Sequence, residues 1–139
     1  MVSVSMKTSI AAPAAAVWDI VGDFPNPSRY IAAITENSAN GSEPGCRRRL
    51  ILGGETLVVE ELKELNQETM TFAYTIVECP LPIYNYNAVM QVIPQGDDAC
   101  ELTWESTFDS DADSEQDMDD MVRGVYTAGF ESIKAQLEA

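Results

Sequence analysis

Histidine is absent from the 139-residue chain. That removes Ser-His-Asp and Cys-His nucleophile systems, His-ligated zinc or iron, and imidazole acid–base chemistry at neutral pH. Any catalysis has to use carboxylates, Tyr, Lys, Arg or Cys. Cysteine is scarce: Cys46, Cys79 and Cys100 lie far apart with no Cys-x-x-Cys pair, and three cannot all pair within one chain. They are expected to be reduced, mostly buried thiols, and neither a metal nor a cofactor is expected. Basic residues are few, 8 Lys and Arg against 23 Asp and Glu, for a formal charge of −15. That balance repels phosphate backbones and anionic headgroups, which argues against nucleic acid and membrane surfaces as partners. Long apolar runs are missing too. The longest nearly apolar stretch, Ile10 to Trp18, contains Pro13 and falls far short of the ~20 residues of a membrane-spanning helix, so no membrane insertion is expected. Residues 1–7 have no basic region followed by an apolar stretch; the expectation is no secretory signal and a cytoplasmic location.

What is present suits one globular domain over residues 1–139: 45% of the chain is hydrophobic and 22% charged, too apolar for disorder. Val2, Val4 and Met6 alternate with polar residues, the period of a half-buried strand. Pro13 suits a helix start, and Ala14, Val17, Trp18 and Val21 follow at i, i+3, i+4 and i+7 before Gly22 stops the run. Asn26-Pro27 repeats a cap-then-proline start, predicting a second short helix from Pro27 to about Ala33 with Tyr30 and Ile31 on one side. From 34 to 108, turn chemistry at Asn40-Gly41, Pro44-Gly45, Gly53-Gly54, Asn66-Gln67, Pro80-Leu81-Pro82 and Gly96-Asp97-Asp98 leaves room for six strands. Their short connections favour an antiparallel meander. Met118, Met121, Val122, Val125, Ile133 and Leu137 then recur at helical spacing and predict a long C-terminal helix.

Alternation sorts the strands into faces. The inward sets are Met70, Phe72, Tyr74, Ile76 and Glu78; Tyr84, Tyr86, Ala88, Met90 and Val92; and Cys100, Leu102, Trp104, Ser106 and Phe108. The same rule turns Arg48, Leu50, Leu52, Val58, Glu60 and Leu62 inward and Arg47, Arg49 and Glu61 outward, although Leu57, Val59 and Leu65 argue for the opposite parity on 57–65. Six of the 11 aromatic residues share the inner face, three of them tyrosines whose hydroxyls need partners once buried. Glu60, Glu78 and Arg48 bring charge to that face, where burial demands pairing or water. Two explanations stand side by side: a structural Arg48–Glu60 pair with Glu78 reaching solvent at a strand end, or an amphipathic cavity whose polar groups orient a ligand.

The order of elements resembles the START-like (SRPBCC) superfamily of polyketide cyclase/dehydrase and lipid-transport proteins over nearly the whole chain. The resemblance is carried by residues 17–24 (Val-Trp-Asp-Ile-Val-Gly-Asp-Phe), Tyr30, residues 44–50 (Pro-Gly-Cys-Arg-Arg-Arg-Leu), Gly53-Gly54-Glu55, Glu60-Glu61-Leu62, residues 72–76, Pro80-Leu81-Pro82 and Leu102-Thr103-Trp104. It implies an α+β helix-grip fold, a curved seven-stranded antiparallel sheet around the C-terminal helix, with two short helices after strand one. It also implies a cavity lined by Tyr74, Ile76, Tyr84, Tyr86, Met90, Trp104 and Phe108 of the sheet and Met121, Val122 and Val125 of the helix, in which Arg48 and the tyrosines would orient a ligand. Gly53-Gly54 and Pro80-Leu81-Pro82 would flank its mouth. The superfamily has no universal catalytic residue, so the resemblance carries over no activity.

Residues 109–120 hold seven acids and no base. A calcium loop fits poorly, with Ser114 and Asp120 where Gly and Glu belong. Asp113 or Ser114 is instead expected to cap the last helix, with Asp117 at the positive end of its dipole. Three functions follow. The leading one is a carrier or sensor for a small hydrophobic or amphipathic molecule. The second is a cyclase or dehydratase using Glu60 or Glu78 as general base, with Tyr or Arg48 stabilising an enolate. The third is an interaction module whose protein partner the sequence leaves open.

Overall fold

The computed structural model describes residues 1–138 and follows the element order that the hydrophobic periodicity predicts, with one exception. The strands are β1 (Val2–Ile10), β2 (Ile34–Ala39), β3 (Arg47–Leu52), β4 (Thr56–Asn66), β5 (Thr71–Glu78), β6 (Tyr84–Pro94) and β7 (Cys100–Asp109). The α-helices are α1 (Ala14–Val21) and α2 (Glu115–Leu137). The exception is the second short helix. Only a three-residue 3-10 turn, Pro27–Arg29, forms there, because Tyr30 leaves helical backbone geometry (φ −137°) to bury its ring 6.0 Å from Trp104. Tertiary packing overrides the proline start.

All strand pairs are antiparallel, and the sheet order is β1-β7-β6-β5-β4-β3-β2. The chain therefore closes β1 onto β7, sends α1 and the 3-10 turn across to the far edge, and returns as a meander. Gly53 and Gly54 both have positive φ (60° and 79°) in the tight β3–β4 connection, a conformation that penalises a Cβ. On β4, Val58, Glu60 and Leu62 are buried, and an irregularity between Leu62 and Glu64 then places Leu65 opposite Phe72. That bulge explains the inward turn of Leu65, because one extra residue exchanges the faces, whereas Leu57 and Val59 stay half-buried on the outer face. The outward assignments hold: Arg47 and Glu61 form an ion pair, with Arg47 Nε 3.0 Å from Glu61, and Arg49 is exposed.

α2 lies against the inner face, with Tyr126 stacked on Trp104 at a centroid distance of 3.9 Å. The approach is close because Gly129 faces the sheet: a Cβ there would stand 3.1 Å from Trp104 Cζ3. Ser114 holds the cap position of α2, but its hydroxyl makes no capping bond; Glu115 and Asp117 supply first-turn negative charge at the positive end of the helix dipole. Among the described residues, no helix is long and apolar enough to cross a membrane.

Candidate functional site

Between sheet and helix lies a cavity of about 110 Å³. Its floor is built from buried residues: Arg48 on β3, Glu60 on β4, Tyr74 on β5, Tyr86 on β6, Trp104 on β7 and Tyr126 on α2. Its upper walls are apolar and half-buried, from Ile31, Leu52, Ile76, Leu81, Met121 and Val125. A cavity of ~150 Å³ holds benzene, so this smaller one admits no more than about a single ring.

Two polar systems meet in the floor. In the first, Arg48 Nε and Nη2 both bind Glu60 Oε1, at 2.8 and 2.7 Å, while Nη1 donates to the Phe24 carbonyl at 3.0 Å. The guanidinium carbon stands 4.1 Å from the Phe24 ring centroid and 5.1 Å from that of Tyr74. Burial, the largest single influence, pulls the Arg48 pKa down, but the charge and hydrogen bond of Glu60 together with Tyr30 and Tyr74 outweigh it and raise the value, so the cation persists at every working pH. Glu60 Oε2 receives no hydrogen bond from any described residue, and it is not among the buried unpartnered atoms, so it is open to the cavity.

The second system is a chain of hydroxyls. Trp104 Nε1 donates to Tyr74 Oη at 3.1 Å, Tyr74 Oη lies 3.5 Å from Tyr86 Oη, and Tyr86 Oη is hydrogen-bonded to Tyr126 Oη. Burial pushes all three phenols up, Tyr126 to about 12 and Tyr74 and Tyr86 well above the ordinary value. They are therefore hydrogen-bond donors at neutral pH, never bases. Two links join three O–H groups, so one O–H is always left without an acceptor inside the chain. Ser106, close to Tyr126, has the one buried side-chain oxygen that lacks a partner among the described residues.

The structure brings Arg48, Glu60, Tyr74, Ile76, Tyr86, Trp104, Met121, Val122 and Val125 to this cavity, and leaves several expected residues out. Tyr84 is 49% exposed with its hydroxyl 3.4 Å from Asp111. Its parity is lost because the β6–β7 register slips between Tyr84 and Asn87 around Asn85, whose φ is +53°. Glu78 is exposed at the end of β5, where the Val59–Glu60 irregularity of β4 ends regular pairing, and it cannot act on anything in the cavity. Met90 and Phe108 face inward but are covered, Met90 by the Tyr30 hydroxyl at 3.7 Å and Phe108 by Tyr86 at a ring distance of 5.9 Å. At the expected mouth only Leu81 is a wall; Pro80, Pro82 and the exposed Gly53-Gly54 turn belong to connections whose neighbours Cys79, Ile83 and Leu52 reach the cavity instead. Burial raises the Cys79 thiol, which keeps it protonated and a poor nucleophile.

The sequence reading missed Tyr126, Phe24 and Cys79. Tyr126 carries a signal: with Val122, Phe130 and Ile133 it continues the i, i+4, i+7 stripe of α2. Phe24 carries none, since it meets Arg48 from a loop, through its carbonyl and its ring.

Comparison with known proteins places this arrangement in context. The family model described as polyketide cyclase / dehydrase and lipid transport matches residues 1–138. A Thermobifida fusca protein solved by solution NMR is 30% identical, with a TM-score of 0.86 over 96% of this chain and 91% of that one. The Zhui aromatase/cyclase from Streptomyces sp. R1128 shares the fold at 17% identity, TM-score 0.80, over 99% and 93% of the two chains. Norcoclaurine synthase from Thalictrum flavum, solved with dopamine and hydroxybenzaldehyde, shares it at 16% identity, TM-score 0.77, over 97% and 85%. No curated protein matches by sequence.

Proposed function

This chain belongs to the polyketide cyclase / dehydrase and lipid transport family, and from that premise we propose that it binds a small amphipathic molecule of about one ring, as a carrier or sensor in the cytoplasm. One observation carries the reading: apolar walls converge on a floor where a carboxylate oxygen accepts no hydrogen bond from any described residue and a chain of three tyrosine hydroxyls holds one O–H more than its two links use. Polar groups aimed into an apolar pocket fix orientation, while the walls supply affinity. The residues that do this are Glu60, Tyr74, Tyr86, Tyr126 and Trp104, with Ile76, Leu81, Met121, Val122 and Val125 as walls.

The two tryptophans make the test self-controlled. Trp104 Nε1 bonds Tyr74 inside the cavity, whereas Trp18 Nε1 bonds Gln67 at the surface at 2.6 Å. In a heteronuclear NMR titration with 4-ethylphenol, the Trp104 indole signal is expected to shift while that of Trp18 stays put, and Tyr86→Ala weakens the response without unfolding the chain. A still Trp104 signal at the solubility limit of the probe sinks the reading.

A catalytic reading stands second, supported by the same free Glu60 oxygen set in one cavity with protonated phenol donors. In it Glu60 takes a proton from an acidic C–H of a bound carbonyl compound and a tyrosine O–H stabilises the enolate. Deuterium exchange into such a compound, abolished in Glu60→Gln, is the result that would favour it.

A further inference from the structure

We infer that the cavity selects an uncharged hydroxyl-bearing ring over the corresponding acid or amine, and that Arg48 is a positioning residue for Glu60 rather than an anchor for an anionic ligand. The inference rests on the binding reading above and specifies its ligand.

Each of the three guanidinium nitrogens of Arg48 is already engaged, two by Glu60 Oε1 and one by the Phe24 carbonyl. Two of its five N–H groups are not used in these contacts, but with 1% of its surface exposed and two aromatic rings against it the group presents almost nothing to an incoming carboxylate. What the cavity receives from this pair is the other end, Glu60 Oε2, a negative atom without a donor. A ligand carboxylate brought there meets a like charge in an apolar setting and is disfavoured. An ammonium fares little better, because the Arg48 charge adjacent to Glu60 cancels most of the attraction that would offset its desolvation.

The hydroxyl chain completes the pattern. Its surplus O–H, from Tyr74, Tyr86 or Tyr126, has only the Ser106 oxygen beside Tyr126 as a protein acceptor and can turn to a ligand oxygen instead, while Glu60 Oε2 calls for a donor. A ligand hydroxyl has the chemistry for both, a proton to donate to Glu60 and a lone pair to accept the tyrosine proton, and both groups line the same cavity. A phenol-type group on a single ring therefore matches the floor in charge, polarity and size.

Dissociation constants for 4-methylphenol, toluene, benzoate and benzylamine at pH 7 test this on the unmodified protein. The phenol is expected to bind about tenfold tighter than toluene, as befits a hydrogen bond to a charged group, and benzoate about 100-fold more weakly than the phenol. A spectroscopic titration of 4-nitrophenol, which ionises near neutral pH, gives the same answer without a series: binding raises its apparent pKa by about one unit or more, since the neutral form is preferred. Benzoate or benzylamine binding as well as the phenol, or a lowered nitrophenol pKa, overturns the inference. Toluene binding as tightly as the phenol overturns it too while leaving the binding reading intact, whereas silence from all four ligands overturns both. Glu60→Gln supplies the mechanism test: the Arg48 charge is then unmatched, and the benzoate-to-phenol preference moves toward the acid by about 100-fold. An unmoved ratio in the folded variant contradicts the role given to Glu60; if that variant does not fold, the unmodified protein still decides.

Discussion

At the scale of single residues, the Arg48–Glu60 pair is asymmetric. The Arg48 side chain is 1% exposed and that of Glu60 10%, so water reaches only the carboxylate. Glu60→Gln strands a buried cation and is expected to cost ~3 kcal/mol or more, the usual loss when one member of a buried pair is removed. Arg48→Met strands a carboxylate that the cavity can hydrate, so its loss should be smaller by about 1 kcal/mol or more, and the double variant should recover part of the larger loss. Urea midpoints of the three variants check the order, and the reverse order would mean that Glu60 is the dry partner. The phenols make a second prediction. An unfolded tyrosine ionises near 10, whereas burial holds Tyr126 at about 12 and Tyr74 and Tyr86 well above 10. Above pH 10 the unfolded chain therefore releases protons that the folded chain keeps. The stability these groups contribute is complete below about pH 10 and is lost as pH rises through the folded values, by up to about 1.4 kcal/mol per pH unit for each hydroxyl. Denaturation between pH 9 and 11.5 should show this decline, with a shallower slope in Tyr126→Phe.

Among the elements, α2 carries two glycines with opposite reasons for being there. Around Gly124 nothing lies within 4 Å of where a Cβ would stand, so Gly124→Ala should raise stability by about 1 kcal/mol through helix propensity alone. At Gly129 the Cβ would press on Trp104 at 3.1 Å and approach Tyr30 Cδ2 at 3.5 Å, so Gly129→Ala should lower stability by ~1–3 kcal/mol despite the same gain in propensity. Thermal denaturation distinguishes the two signs. Both glycines look alike in the sequence; only the docking of α2 on β7 separates them. The strands repeat the lesson. The inward parity of β5, β7 and most of β6 can be read from alternation, but the slips on β4 and at the start of β6 cannot, because a bulge is a choice of inter-strand hydrogen bonds. Asn85, a residue type that tolerates positive φ, was the single local hint that Tyr84 would turn away.

For the molecule as a whole, a charge of −15 sets a repulsion that salt relieves. Magnesium and calcium at matched concentration should raise the melting temperature mildly and equally. A calcium-selective rise would point to a specific site, which stabilises by mass action once the ion greatly exceeds its dissociation constant. The acidic corner at 109–120, the outward Arg47–Glu61 pair and the Arg29 bridges to Asp19 and Asp23, both within 3.1 Å, place these charges at the surface, where screening acts.

While the helix-grip architecture followed from the resemblance to a known family, the sequence by itself determined the order of strands and helices, the inward course of Arg48, Tyr74, Tyr86 and Trp104, and the exclusion of imidazole chemistry. These depend on periodicity and composition, which are local or additive properties of the chain. Tertiary structure alone decided that the 3-10 turn replaces a helix, that Tyr84 and Glu78 leave the site, that Tyr126 enters it, and that Arg48 at the cavity floor is bonded to Glu60 and Phe24. Each of those outcomes depends on which groups from distant segments meet within hydrogen-bonding distance. A buried charge or hydroxyl takes whichever partner the packed fold brings to it, because going without one costs more than local propensity can offset.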